Sequence, residues 1–99
     1  MRVLAQSALR NYWQVDALAE LPVRAWYKKA EHAAWRDFAD VKRTFNQTDI
    51  VAGRYIFDIG GNKWRVIAKI RFDIGWVLIK WVESHADYDS LNESDIAAL

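Results

Sequence analysis

The spacing of apolar residues changes once along this chain, at Gly53. Before it they recur at three- and four-residue steps; after it they alternate. MRVLA at the N-terminus fits a short strand. Ser7 is a plausible N-cap for a helix from Ala8 to Glu20. Leu9, Tyr12, Trp13, Ala17 and Leu18 form its apolar face. Pro22 sits where a second helix can begin, because the first turn tolerates a missing N–H. That helix reads VRAWYKKAEHAAW, with Val23, Trp26, Ala30 and Ala33 as the buried stripe. Two helices joined by a short break predict a helical hairpin. In residues 36–50, Phe38, Val41 and Phe45 predict one short helical turn, and the rest reads as loop.

Beyond Gly53 the segments GRYIFDI, KWRVIAKIRF and WVLIKWV each read as a strand. GGN and DIG separate them, and Gly and Asn tolerate the positive φ of tight turns. Three strands with short turns predict an antiparallel meander. The fold class is therefore α+β: an N-terminal helical hairpin packed on one face of a small antiparallel sheet. Residues 1–99 read as one domain, with 1–45 mostly helical, 53–83 the sheet and 84–99 a C-terminal segment. In the second strand Lys63, Arg65, Ile67, Lys69 and Arg71 share one face, and Trp64, Val66, Ala68 and Ile70 share the other. In the third strand, strict alternation puts Trp76 and Trp81 on opposite faces.

Composition narrows the classes. A chain of 99 residues, 53% hydrophobic and with six Trp, can close one modest core. It has no Cys. That excludes disulfides and thiolate-bound metal and fits a reducing cytosol. The N-terminal segment lacks the apolar run of a signal peptide. The longest apolar run, Ile74 to Ile79, falls far short of the roughly 20 residues of a membrane span. Net charge is only +1, yet it is segregated: residues 53–81 carry six basic and two acidic residues, and residues 82–99 carry five acidic and no basic ones. A basic middle suits an anionic ligand, and the acidic tail should lie elsewhere or pair internally.

The four basic positions on one strand face have two readings. They are a solvated sheet face, or a track for the phosphates of single-stranded nucleic acid. Past the third strand, SHADYD supplies His85, Tyr88 and Asp89. A histidine exchanges protons near neutral pH. A tyrosine stacks on a base or hydrogen-bonds a phosphate. The alternative has Tyr88 packing on the sheet edge and His85 capping a terminal helix. His32 reads as a surface residue, and the two histidines give no metal spacing. No phosphate-binding loop, dinucleotide fingerprint or nucleophile elbow is present.

FDIGGNKWRVIAKI, an apolar strand and then SHADYD together resemble the HigB family of toxins, members of the RelE-like group of mRNA endoribonucleases. RAWYKKAEHAAWRDFADVKRTF followed by TDIV is similar to that family's helical region. The resemblance spans roughly residues 1–91, with Trp64 where the family often has Tyr and Ser84 where it often has Thr. It implies a compact α+β fold with a concave basic face, and metal-independent cleavage of mRNA held in the ribosomal decoding site. No cofactor is implied. It also implies a cytoplasmic location and a HigA-type helix-turn-helix antitoxin, through which alone the toxin meets operator DNA. Asn62, Lys63 and Arg65 match the family's basic block; His85, Tyr88 and Asp89 match its C-terminal block. On this reading Arg65 clamps the phosphate, Lys63, Lys69 and Lys80 add charge, and His85 moves the proton. Tyr88 stacks or hydrogen-bonds, and Asp89 orients His85. Arg65→Ala is expected to abolish toxicity while leaving folding largely intact. A ParE-like gyrase poison and a non-catalytic RNA-binding module are the rival readings.

Overall fold

A computed structural model describes residues 1–99. Three helices, α1 (Ser7–Val15), α2 (Glu20–His32) and α3 (Phe38–Thr44), cover one face of a five-stranded sheet. The strands are β1 (Arg2–Leu4), β2 (Thr48–Val51), β3 (Arg54–Ile59), β4 (Trp64–Arg71) and β5 (Trp76–Ser84), in the spatial order β1-β5-β4-β3-β2. Two short helices, α4 (His85–Asp89) and α5 (Glu93–Ala97), follow. The class is α+β, as expected.

The β3-β4-β5 meander forms, but the sheet is larger than expected and it is mixed. β2 pairs antiparallel with β3, and β1 pairs parallel with β5. TDIV is too short to show a period, so it read as loop. The parallel pair joins Arg2–Leu4 to Trp76–Leu78, across most of the chain, where no local pattern reports it.

The first helix also differs. Ser7 does not cap it; Ser7 is its first residue, and Gln6 at the cap position makes no side-chain cap. The helix stops at Val15 because Asp16 is extended (φ −126°, ψ 91°). A 3-10 turn, Ala17–Ala19, then leads into α2, with Pro22 in its first turn. The break turns Leu18, expected in the apolar stripe, out to 80% exposure, while Leu9 stays buried. Asp16 has a tertiary reason for its conformation. Its carboxylate accepts from Trp64 Nε1 at 2.9 Å and from the Tyr12 hydroxyl at 3.3 Å, tying the end of α1 to β4.

The main core lies between the helices and the sheet. Phe57 is fully buried at its centre, with Trp26 edge-on at 5.1 Å and Phe45 at 5.6 Å. Trp35 stacks at 6.3 Å. Aromatic pairs at such spacings add to area burial. Gly60, in the β3-β4 turn, has φ +66°, and a Cβ there would meet the Trp64 ring at 2.5 Å. Only glycine serves at that position.

The opposite face carries a second, smaller core. Ile56 and Ile67 of the sheet pack against Ile96 of α5, flanked by Trp81, Tyr88, Leu91 and Leu99. A capping box between Asn92 and Asp95 starts α5. Arg54 holds the tail down, donating to the carbonyls of Ala97 and Leu99 at 2.6–2.9 Å. The acidic segment therefore docks beside the basic face.

A β-bulge alters the expected faces of β5. Ile67 pairs with Trp81 and Ala68 with Ile79, so Lys80 is the extra residue. Val77, Ile79 and Val82 face the main core, and Trp81 faces the second one. The bulge thus brings Trp76 and Trp81 to the same face, correcting strict alternation.

Two predictions follow from the Asp16 junction. Asp16→Ala leaves the Trp64 N–H without its acceptor and should cost about 1–3 kcal/mol in urea denaturation. Burial first, and then Asp16, push the Tyr12 hydroxyl from 10 up to about 12. The folded state favours the neutral phenol. Its contribution is complete below pH 10 and lost as pH rises toward 12, so Tyr12→Phe should reduce the alkaline loss of stability in a pH-dependent melt.

Candidate active site

The β3-β4 hairpin and α4 bring the sequence-predicted residues together at one end of the open face. Register opposes Asp58 to Arg65 across the hairpin. The turn between them runs through Asn62, which holds φ +76°. Ser84 then caps α4, its hydroxyl accepting from the Asp87 N–H at 3.1 Å. The His85 N–H donates to the Lys63 carbonyl at 2.8 Å, which sets α4 against the turn.

Arg65 is the centre of this cluster, and it is buried, with only 6% exposure. Its Nε lies 2.9 Å from Asp58 Oδ1. One terminal nitrogen donates to the Asn62 and Trp64 carbonyls at 3.3 and 3.2 Å, and the other to Asn62 Oδ1 at 2.6 Å. Each guanidinium nitrogen already has a partner. The Arg65 guanidinium carbon also lies 5.6 Å from the centre of the Tyr88 ring, within cation–π range. Tyr88 in turn packs on Trp81 at 6.3 Å. A strand pattern that placed Arg65 on a solvated face did not show that α4 covers it. Lys63, Lys69 and Arg71 of that pattern are exposed.

His85 and Asp89 form a separate pair at the rim. His85 Nε2 lies 3.2 Å from Asp89 Oδ2, and both side chains reach solvent. Nδ1 is buried and has no partner. A protonated Nδ1 would be an orphaned donor, so the neutral ring is best accommodated with its proton on Nε2, toward Asp89. His85 does not cap α4; Ser84 does. His32 is exposed, as expected, with Nδ1 2.8 Å from the Lys28 carbonyl.

The electrostatics follow from burial. The Asp58 carboxyl is pushed above its ordinary value, chiefly by burial and further by Asp49, against the downward pull of Arg65 and His85. The Tyr88 phenol is pushed up by burial and by Asp49, so it remains a neutral donor at neutral pH. Lys69 and Lys80 do not join this cluster. Lys69 lies further along β4, opposite Leu78, and Lys80 occupies the bulge. Together with Arg54 they crowd positive charge, which lowers Lys69.

Asp58, Asp49, Trp81 and Arg54 were not among the candidate residues. Asp58 had a readable signal: a tight hairpin through Gly60 to Lys63 puts it opposite Arg65. The others depend on how α4 and α5 cover the sheet. No His, Cys, Asp and Glu side chains group in threes close enough to hold a metal. No helix is long and apolar enough to cross a membrane.

Comparison with known proteins bears directly on this cluster. Residues 19–91 match HigB_toxin, the RelE-like toxic component of a toxin-antitoxin system. The chain belongs to this toxin family. The matched span includes every candidate residue and stops short of α5. A 37-residue stretch is also 46% identical to an mRNA interferase HigB of Escherichia coli O6:H1 strain CFT073. That stretch is 37% of this chain and covers 36% of the relative's length. Within the HigB toxin frame, the hairpin holds Asn62 and Arg65 and the first C-terminal helix holds His85, Tyr88 and Asp89.

Burial makes Arg65, a candidate site residue, a determinant of stability. Arg65→Ala strands the Asp58 carboxylate and should cost about 3–5 kcal/mol at pH 7. Losing the cation raises Asp58 further. The folded state then favours the neutral acid, so the defect should shrink as pH falls toward the raised value. Urea midpoints of both proteins at pH 7 and pH 5 measure this; an equal loss at both would rule out Asp58 as the cause.

Proposed function

We propose that this HigB-family toxin is a metal-independent, ribosome-dependent mRNA endoribonuclease that blocks translation. The observation that carries the reading is the His85–Asp89 pair at the rim of the Asn62–Arg65–Tyr88 cluster. RNA brings its own nucleophile. The 2′-oxygen attacks the adjacent phosphorus, the bond to the 5′-oxygen breaks, and a 2′,3′-cyclic phosphate remains. The protein has to move two protons and stabilise the charged phosphorane. His85 presents its Nε2–H on the solvent side, and as an imidazolium stabilised by the Asp89 carboxylate it gives that proton to the departing 5′-oxygen. The neutral Tyr88 hydroxyl donates to a phosphate oxygen, and Lys63 adds charge at the rim. With its nitrogens engaged, Arg65 acts chiefly as a positioning residue that fixes Asn62 and Tyr88.

Ribosome dependence has a physical rationale. None of the surface cavities is lined by Arg65, His85 or Tyr88. A site without a cleft cannot by itself hold a flexible strand in line for attack, and alignment is worth much of the barrier. The decoding site supplies that alignment. A HigA-type helix-turn-helix antitoxin is the proposed partner in the cytoplasm, and operator DNA is reached only through it.

Primer extension on translating ribosomes tests the reading. New mRNA 5′ ends should appear within the reading frame, only when ribosomes are present. His85→Ala should reduce them by about 100-fold or more. Equal cleavage of free RNA would remove the ribosome from the mechanism. Intact mRNA with broken chromosomal DNA would replace this reading with a gyrase poison.

A further inference from the structure

The open face of the sheet has a second half that the cluster around His85 does not use. Along β4, Arg65 lies at the candidate site, Ile67 lies under Ile96, and Lys69 and Arg71 emerge beyond. The docked tail thus separates two regions. At about 3.4 Å per residue, Lys69 and Arg71 lie roughly 14–20 Å from Arg65 along the strand.

This region is a groove of about 420 Å³ lined by Gly53, Arg54, Lys69, Arg71, Trp76 and Leu78, with Ile70 beside them. Trp76 lies at its end and is 39% exposed, an unusual position for a large aromatic side chain. Register places Arg2 of β1 on one side of Trp76 and Arg71 of β4 on the other. On the next rung Leu78 stands between Leu4 and Lys69. Lys80 emerges from the bulge beyond Leu78. Only Arg71 among these cations has an acidic partner, Asp73 at 2.7 Å, and that pair is exposed. Arg54 and Lys80 both lower Lys69, a sign of positive charge without a counterion.

An aromatic ring between two guanidinium side chains, with free lysines beyond it, matches single-stranded nucleic acid. Bases stack on the ring and phosphates meet the cations. We propose that the Trp76 groove is a second RNA subsite, remote from the scissile position, which stacks one base on Trp76 and neutralises neighbouring phosphates with Arg2, Lys69 and Lys80. It deepens the ribonuclease reading and rests on it for the identity of the ligand. In function it supplies the grip that the cleft-free site at His85 lacks.

Binding to oligoadenylate, read by fluorescence anisotropy without ribosomes, tests the subsite. Trp76→Ala should weaken binding about 5- to 100-fold, and Trp76→Phe should retain most of it. Lys69→Gln and Lys80→Gln should each reduce the slope of log affinity against log salt by about 0.7. These side chains are exposed or half-exposed, and far-ultraviolet circular dichroism verifies that each variant is folded. Unchanged affinity in folded Trp76→Ala would overturn the subsite, even if the wild type cuts mRNA. A wild type that binds the oligonucleotide through Trp76 and cuts nothing would leave the subsite standing and remove the ribonuclease reading. A photoreactive benzophenone side chain at position 76 distinguishes the RNA sources on translating ribosomes. Crosslinks to messenger or to ribosomal RNA support the subsite and name the strand. Crosslinks to protein alone overturn it.

Discussion

A buried guanidinium organises one end of this protein. Taking Arg65 out of water is costly unless its charge and its N–H groups are met. Asp58 meets the charge, and Asn62 and two backbone carbonyls meet the donors. Each partner fixes something else. Asp58 requires the β3-β4 register, since a one-residue slip would send its side chain to the opposite face. Asn62 requires the left-handed turn conformation that presents its side chain to Arg65. Tyr88 lies over the cation and ties α4 to the sheet. The same cation therefore links hairpin, turn and C-terminal helix, and His85 is placed by their convergence.

The two faces of the sheet have different tasks. One is sealed by α1 to α3 over an aromatic core centred on Phe57. The other is only partly covered, by a short acidic segment whose apolar side chains reach Ile56 and Ile67. The charge segregation of the chain takes on meaning here. The acidic residues ride on helices docked across a basic face, and the cations left uncovered fall into two groups, one at each side of the tail. Lys63 belongs to the first, with His85. Arg2, Lys69 and Lys80 belong to the second, with Trp76.

For a toxin of this size the arrangement separates chemistry from grip. The His85–Asp89 pair, proposed to transfer the proton, is exposed at a rim. The aromatic and basic groove lies on the far side of the tail. A small domain has too little interior to enclose a substrate; rigidity comes from the buried Arg65 network, and on the proposed mechanism alignment is left to the ribosome.

The period of apolar residues was enough to read an α+β chain, two long helical segments and the β3-β4-β5 meander, because helix and strand periods are local properties of side-chain direction. The Gly60–Lys63 turn was legible for the same reason, and with it most of the residues that meet at the site. Four features were not legible. The strand Arg2–Leu4 was legible, but its parallel pairing with Trp76–Leu78 spans most of the chain. The end of α1 is decided by the bonds of Asp16 to Trp64 and Tyr12, which a helical pattern does not contain. The bulge at Lys80 moves Trp81 to the face of Trp76. The burial of Arg65 depends on α4 lying over it. Periodicity says which way a side chain points; only the packing of distant segments decides what covers it, and that decides whether an arginine is a surface clamp or a buried anchor.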